Sequence, residues 1–250
     1  MDWLTRSMNH SSPIIWLVII VVALGGLVVL IIRNASKHRK EFAALAKELG
    51  FTYEPESPEL LETFKEFRFF LPNRDRHTQI AFNVLKGKMG SASLILFDYS
   101  YQIRGSRSGH DYTICALRSP ELRLPYFYLR HRWLTEMLRQ SSPPKEVIPE
   151  SDPTSVQYVG SEINFPEDEK FNTTFVLHGK EGVLQPLFDV DLRQHLLPLG
   201  DLWHTPSALE GYRDTLMLIA GAPIEPKAAR ELIHRGTSFL PLFSRRIRSW

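Results

Sequence analysis

Hydrophobic and polar positions divide the chain into stretches of different period. From Ile14 to Ile32 nineteen consecutive residues carry no charge, and all but Trp16, Ala23, Gly25 and Gly26 are Leu, Ile or Val. At about 1.5 Å per residue a helix of this length covers roughly 28 Å, close to the ~30 Å hydrocarbon thickness of a bilayer. A core helix of a soluble domain would carry a polar face. A cleaved signal peptide would have a shorter apolar run and a small-residue cleavage site, whereas Arg33-Asn34-Ala35-Ser36-Lys37-His38-Arg39-Lys40 follows here. The pattern predicts one transmembrane anchor. Arg33, Lys37, Arg39 and Lys40 outweigh Arg6 and the free amine on the other flank, so the positive-inside rule puts residues 1–13 outside and the long C-terminal part in the cytoplasm. The localisation expected is the cell (inner) membrane.

The period then becomes helical. Phe42, Leu45, Ala46 and Leu49 recur at i, i+3, i+4 and i+7, and Gly50 stands where a left-handed residue would end the helix. Phe51-Thr52-Tyr53 has strand character up to Pro55. Ser57-Pro58-Glu59 then opens a short helix through Leu60, Leu61 and Phe64.

Between Gln79 and Leu129 aromatic and aliphatic residues cluster in Ile80 to Leu85, Ser93 to Ile103, Tyr112 to Leu117 and Tyr126 to Leu129. Turn residues at Gly87-Lys88-Met89-Gly90 and from Arg104 to Asp111 separate them, which predicts an antiparallel meander. In the longest strand Phe97, Tyr99, Tyr101 and Ile103 share one face, expected to be packed, and Asp98, Ser100 and Gln102 share the other, expected to be wet. Residues 141–155 hold prolines 143, 144, 149 and 153 and few apolar side chains, as a linker or long surface loop does. Beyond it, Val156 to Val159, Phe171 to Leu177 and Thr215 to Ile219 read as strands and Gly182 to Phe188 as a short helix. The fold class expected is α+β: a transmembrane helix at 14–32, a basic flank and first α+β half over 33–140, and a second α+β half over 156–250.

Charge and cysteine content narrow the partners. Thirty basic and 28 acidic side chains leave a formal charge of +2, little reason to expect nucleic acid. Cys115 is the only cysteine, so no intramolecular disulfide forms, and the usage suits a reducing compartment.

Candidate chemistry is sparse. Gly105-Ser106-Arg107-Ser108-Gly109 has Arg107 where a nucleophile elbow needs serine. Gly87-Lys88-Met89-Gly90-Ser91 lacks the spacing of a P-loop and reads as a turn. Cys115 and His110 would point to opposite faces of one strand, which makes Cys115 a core thiol. His131, His178, His195, His204 and His234 show no zinc-ligand spacing. Asp189 and Asp191 can point the same way from an extended segment and hold a cation or a proton, although a solvated turn is the commoner use of such a pair. No catalytic residue, cofactor or metal is predicted. The one candidate contact site is C-terminal. Phe239, Phe243, Ile247 and Trp250 recur at helical spacing with Pro241 in the first turn, and Arg245, Arg246 and Arg248 add charge, as in a helix lying on anionic lipid. The alternative is that these apolar residues pack on the domain's own core.

The order of a membrane helix, the Leu49-Gly50-Phe51-Thr52-Tyr53-Glu54-Pro55 element, the strand Leu96-Phe97-Asp98-Tyr99-Ser100-Tyr101 and the Phe171 to Phe188 stretch resembles an uncharacterised group of bacterial single-pass membrane-anchored proteins. The resemblance implies no activity. The expected function is a non-catalytic binding or scaffold module at the cytoplasmic face, with the lipid bilayer and a protein as partners. The alternative is a membrane-bound, hydrolase-like enzyme whose site leaves no linear motif.

Overall fold

The computed structural model describes residues 13–70, 77–103, 109–133, 162–202 and 207–247, which form two compact units, 1–41 and 42–250. In the first, helix α1 (Pro13–Leu49) begins before the apolar run and continues past it into the second unit. Trp16 to Val22 are exposed along it. Among the described residues no helix is long and apolar enough to cross a membrane. The side chains of Ile14, Ile15, Leu24 and residues 27–32 are not among them.

In the second unit α1 ends as its spacing predicts. Phe42, Leu45 and Ala46 are buried, and Gly50 takes φ +70°. The Phe51 and Gly50 amides donate to the carbonyls of Ala46 and Lys47 at 2.8 and 3.3 Å, the paired bonds of a Schellman cap. Then come β1 (Thr52–Glu56), α2 (Leu60–Thr63) and a 3-10 turn (Arg68–Phe70). Next are β2 (His77–Met89), β3 (Ala92–Ile103), β4 (Gly109–Arg118) and β5 (Leu124–His131). After residue 161 follow β6 (Glu162–Ile163), α3 (Glu169–Thr174), β7 (Phe175–Gly179), α4 (Glu181–Leu187), α5 (Val190–Leu202), β8 (Ser207–Arg213), β9 (Thr215–Ala220) and α6 (Pro226–Ile247).

All nine strands join one antiparallel sheet in the order β1-β2-β3-β4-β9-β8-β5-β7-β6. The meander is real from β1 to β4, but β5 is not its next strand: β9 pairs with β4, and β8 lies between β9 and β5. Strands from both sides of residues 141–155 therefore interleave in a single sheet. That stretch, like Val156 to Val159 and the loop Arg104 to Ser108, lies outside the described residues.

Alternation along the strands divides the core in two. Leu94, Leu96, Cys115, Leu117, Leu129, Leu177, Leu209 and Leu218 pack under the end of α1 and under α3 to α6. Val84, Phe97, Tyr99, Ile114, Ala116, Met217 and Ile219 pack under α2 and the 3-10 turn through Leu60, Phe64, Phe67 and Phe70. In α6, Ala229, Leu232, Ile233, Phe239 and Phe243 form the buried stripe. Gly236 sits within it where the helix comes close to β4: an added Cβ would lie 2.6 Å from Leu117 Cδ1, so a larger residue would have to displace that side chain.

Four expectations need correction. The second face of β3 is wet only towards its end: Asp98 is fully buried on it beside Leu94 and Leu96, Ser100 is half-buried, and Gln102 is exposed as expected. Phe171 to Thr174 is the end of a helix, and the strand starts only at Phe175. Asp189 and Asp191 do not lie on an extended segment but at the start of α5. The C-terminal helix begins at Pro226, which places Pro241 in its interior. Because the chain before Phe239 already supplies a continuous apolar stripe, the proline is carried by packing on both sides of it.

Candidate interaction cleft

A cavity of about 210 Å³ opens on the sheet face covered by α2, between the segment from Thr63 to Phe67 and the turn joining β8 to β9. Ile95 of β3 and Ala116 of β4 make its floor, with Phe64, Phe67 and Tyr212 around it. Phe64 and Phe67 pack edge to face at 6.0 Å, and Phe67 meets Tyr212 likewise at 6.2 Å, so the aromatic wall is held by its own ring contacts. Ala116 leaves space in the floor that a larger side chain would fill.

Charge lies at the rim. Arg213 Nη1 donates to Glu66 Oε2 at 3.0 Å, joining the α2 side to the turn, and Arg118 Nε donates to Asp214 Oδ2 at 2.6 Å. The Arg118 and Arg213 side chains are each 65% exposed, against 47% for Glu66 and 36% for Asp214. Tyr212 pairs with Thr215, so Arg213 and Asp214 alone form the turn, and Arg213 has φ +54°. For a residue with a Cβ this conformation costs about 1–2 kcal/mol. Its side chain lies over the Tyr212 ring at 4.8 Å and reaches Glu66, contacts a glycine would not make.

The C-terminal candidates fall elsewhere. Arg246 is only 11% exposed and is bound to two carboxylates: Nε and Nη2 donate to Asp189 at 2.8 and 2.6 Å, and Nη2 to Asp191 at 2.8 Å. Arg245 is exposed, Phe239 and Phe243 belong to the core, and Arg248 and Trp250 lie outside the described residues. Of the predicted cluster, Arg246 ties α6 to α5, and the Asp189–Asp191 pair is occupied by this cation. A second brace stands nearby. Arg193, 2% exposed, donates to Asp168, Glu167 and the Phe188 carbonyl, each at 2.8 Å, and lies 4.1 Å over the Phe165 ring.

Buried polar groups elsewhere serve the sheet. Asn83 Nδ2 and Thr113 Oγ1 donate to Asp98 at 2.8 and 2.6 Å, the Tyr53 hydroxyl donates to Asn83 Oδ1 at 3.1 Å, and the Ile224 amide donates to Thr113 Oγ1 at 3.2 Å. Asn83 occupies a left-handed position, φ 50°, at the irregularity of β2. Burial pushes the Cys115 thiol up to about 12, which makes it a core side chain as its strand position implies. Burial, and the neighbouring Tyr101, also raise the Tyr99 phenol well above its ordinary range.

The arrangement defines a class: a mixed α+β domain on one antiparallel sheet, with an aromatic cleft rimmed by ion pairs. No protein-family model matches the chain, and no curated protein does. Among solved structures it is similar to the mycobacterial trehalose monomycolate transport factor A, TtfA, at 16% identity and TM-score 0.54, over 82% of this chain and 93% of that one. The two share a fold.

Proposed function

We propose that this protein is a membrane-tethered, non-catalytic binding module, anchored by Ile14 to Ile32 with its domain from Phe42 onward in the cytoplasm. The observation that carries the reading is the fold held in common with a protein named as a transport factor, across nearly all of that chain. Its transfer to this chain is by analogy of fold. The uncharged run within α1, its exposed Trp16 to Val22 and the basic residues that follow support the tether. The cleft supports binding, since its charged groups are matched in pairs around an apolar floor as at a protein contact surface.

The test is recovery of the tagged full chain from gently solubilised membranes of its own cells. A stoichiometric protein partner is expected. A chain that elutes alone and turns over ester or phosphoester substrates would replace the module with an enzyme. For orientation, a reporter fused after Trp250 is expected to be active in the cytoplasm; activity on the outer side would reverse the topology.

A further inference from the structure

We infer that Arg33, Lys37 and Lys40, on the turns of α1 that follow the apolar run, form a docking stripe for anionic phospholipid headgroups, which rests on the tether reading and names the lipid the tether prefers. The helix is continuous from the run through Lys40, so these side chains are held in fixed order along it. At about 100° per residue the three fall within about 60° of one another round the helix, each roughly a turn from the next. All three are exposed, Lys37 at 74%. No Asp or Glu occurs between Asp2 and Glu41. The ion pair of Lys37 with Glu41, at 3.7 Å between side chains 74% and 40% exposed, is of the weak surface kind and yields readily to a phosphate.

Depth selects the occupant. The apolar run ends at Ile32, which puts Arg33 at the edge of the hydrocarbon, Lys37 about 6 Å further out and Lys40 about 10 Å out. The headgroup layer on each side of a bilayer is about 5–8 Å thick. Helical side chains lean toward the helix N-terminus and cover the turn before their own Cα. Beyond a span that direction leads back to the lipid. Lys37 and Lys40 therefore bring their ammonium groups down into the phosphate layer, and the Arg33 guanidinium meets it from the hydrocarbon edge. Three cations in line complement a headgroup with net negative charge, whereas a zwitterionic headgroup brings an ammonium of its own. Arg39 supplies a control within the same flank: it is exposed too, but about 130° round the helix from the middle of the stripe.

The full chain is purified in detergent with equimolar phosphatidylcholine and phosphatidylglycerol of the same acyl chains, and the lipids it retains are read by native mass spectrometry. Phosphatidylglycerol is expected to be retained at least about tenfold over phosphatidylcholine. Gln preserves helix propensity, so Lys37→Gln and Arg39→Gln remove one charge each without disturbing α1. Lys37→Gln should lower the preference about fivefold, Arg39→Gln less than about twofold, and the triple variant Arg33→Gln, Lys37→Gln, Lys40→Gln should abolish it. Equal retention of the two lipids by the parent, or equal losses in Lys37→Gln and Arg39→Gln, would overturn the stripe. With either result, a full chain that resists alkaline carbonate extraction keeps the tether, and a chain that is released removes both.

Discussion

Arg246 and Asp189 face each other through two parallel hydrogen bonds, Nε to Oδ2 at 2.8 Å and Nη2 to Oδ1 at 2.6 Å, across 57 residues of sequence. The pair fastens the last turns of α6 to the start of α5, where Asp189 Oδ1 also accepts from the Leu192 amide at 2.8 Å. Removing Arg246 leaves two carboxylates side by side at a helix start. Arg246→Ala is expected to destabilise the domain by about 1–3 kcal/mol, read by thermal or urea unfolding.

The same pair sets an acid limit. Partial burial alone would raise the Asp189 carboxyl, but the hydrogen bond from Arg246, that from Leu192 and the charges of Arg246 and Arg193 outweigh it and hold the group below its ordinary value. A carboxylate whose folded pKa is depressed contributes stability that is complete above its unfolded value, near 3.9, and is lost as pH falls through the folded value. The parent should therefore lose stability more steeply than Asp189→Asn as pH drops below about 4. Parallel acid melting curves for the two proteins would remove Asp189 from the account.

The two faces of β3 respond differently to charge. Tyr99 is 2% exposed and packed against Phe69, Phe70 and Tyr101, so Tyr99→Asp buries a carboxylate among rings and is expected to prevent folding or cost more than about 4 kcal/mol. Ser100→Asp, on a half-buried position, should cost less. Asp98→Ala is the sharper probe of the opposite face, because it strands the buried donors of Asn83 and Thr113 and should cost about 2–5 kcal/mol. A loss under about 1 kcal/mol would mean that the network relaxes without its acceptor.

Cys115 offers a label for unfolding. A fully buried thiol raised to about 12 is barely ionised at neutral pH, so alkylation in the native protein should be slow and should accelerate with urea along the unfolding transition. Rapid labelling in buffer would contradict the packing of β4 beneath α6.

What the sequence disclosed follows from how local each signal is. The Gly50 cap depends on a few neighbouring residues, and the Phe97-Tyr99-Tyr101 alternation lies within one strand, so both could be read directly. Asp98 misled because its partners, Asn83 and Thr113, are each 15 residues away and arrive only through strand register. β8 was invisible for a related reason: Glu210 and Gly211 break its apolar pattern, yet Glu210 is buried where it accepts from the Phe69 amide, and Gly211 makes room for the Phe127 ring. The C-terminal stripe was legible as amphipathic, but not what it faces, and Arg246 took its carboxylates from a helix more than 50 residues earlier. The cleft draws on α2, β3, β4 and the β8–β9 turn and leaves no linear trace. Its one local hint, Arg213-Asp214 before Thr215-Leu216, is an ordinary polar turn until the backbone is seen.

The tether of Ile14 to Ile32 is tested most directly by alkaline carbonate extraction of membranes from cells making either the full chain or a chain starting at Phe42. The full chain should stay in the membrane pellet while the shorter chain is found in the supernatant, as insertion of some fifteen aliphatic residues, worth very roughly 4–9 kcal/mol, requires. Release of the full chain into the carbonate supernatant would contradict the anchor, and with it the placing of this domain at a membrane.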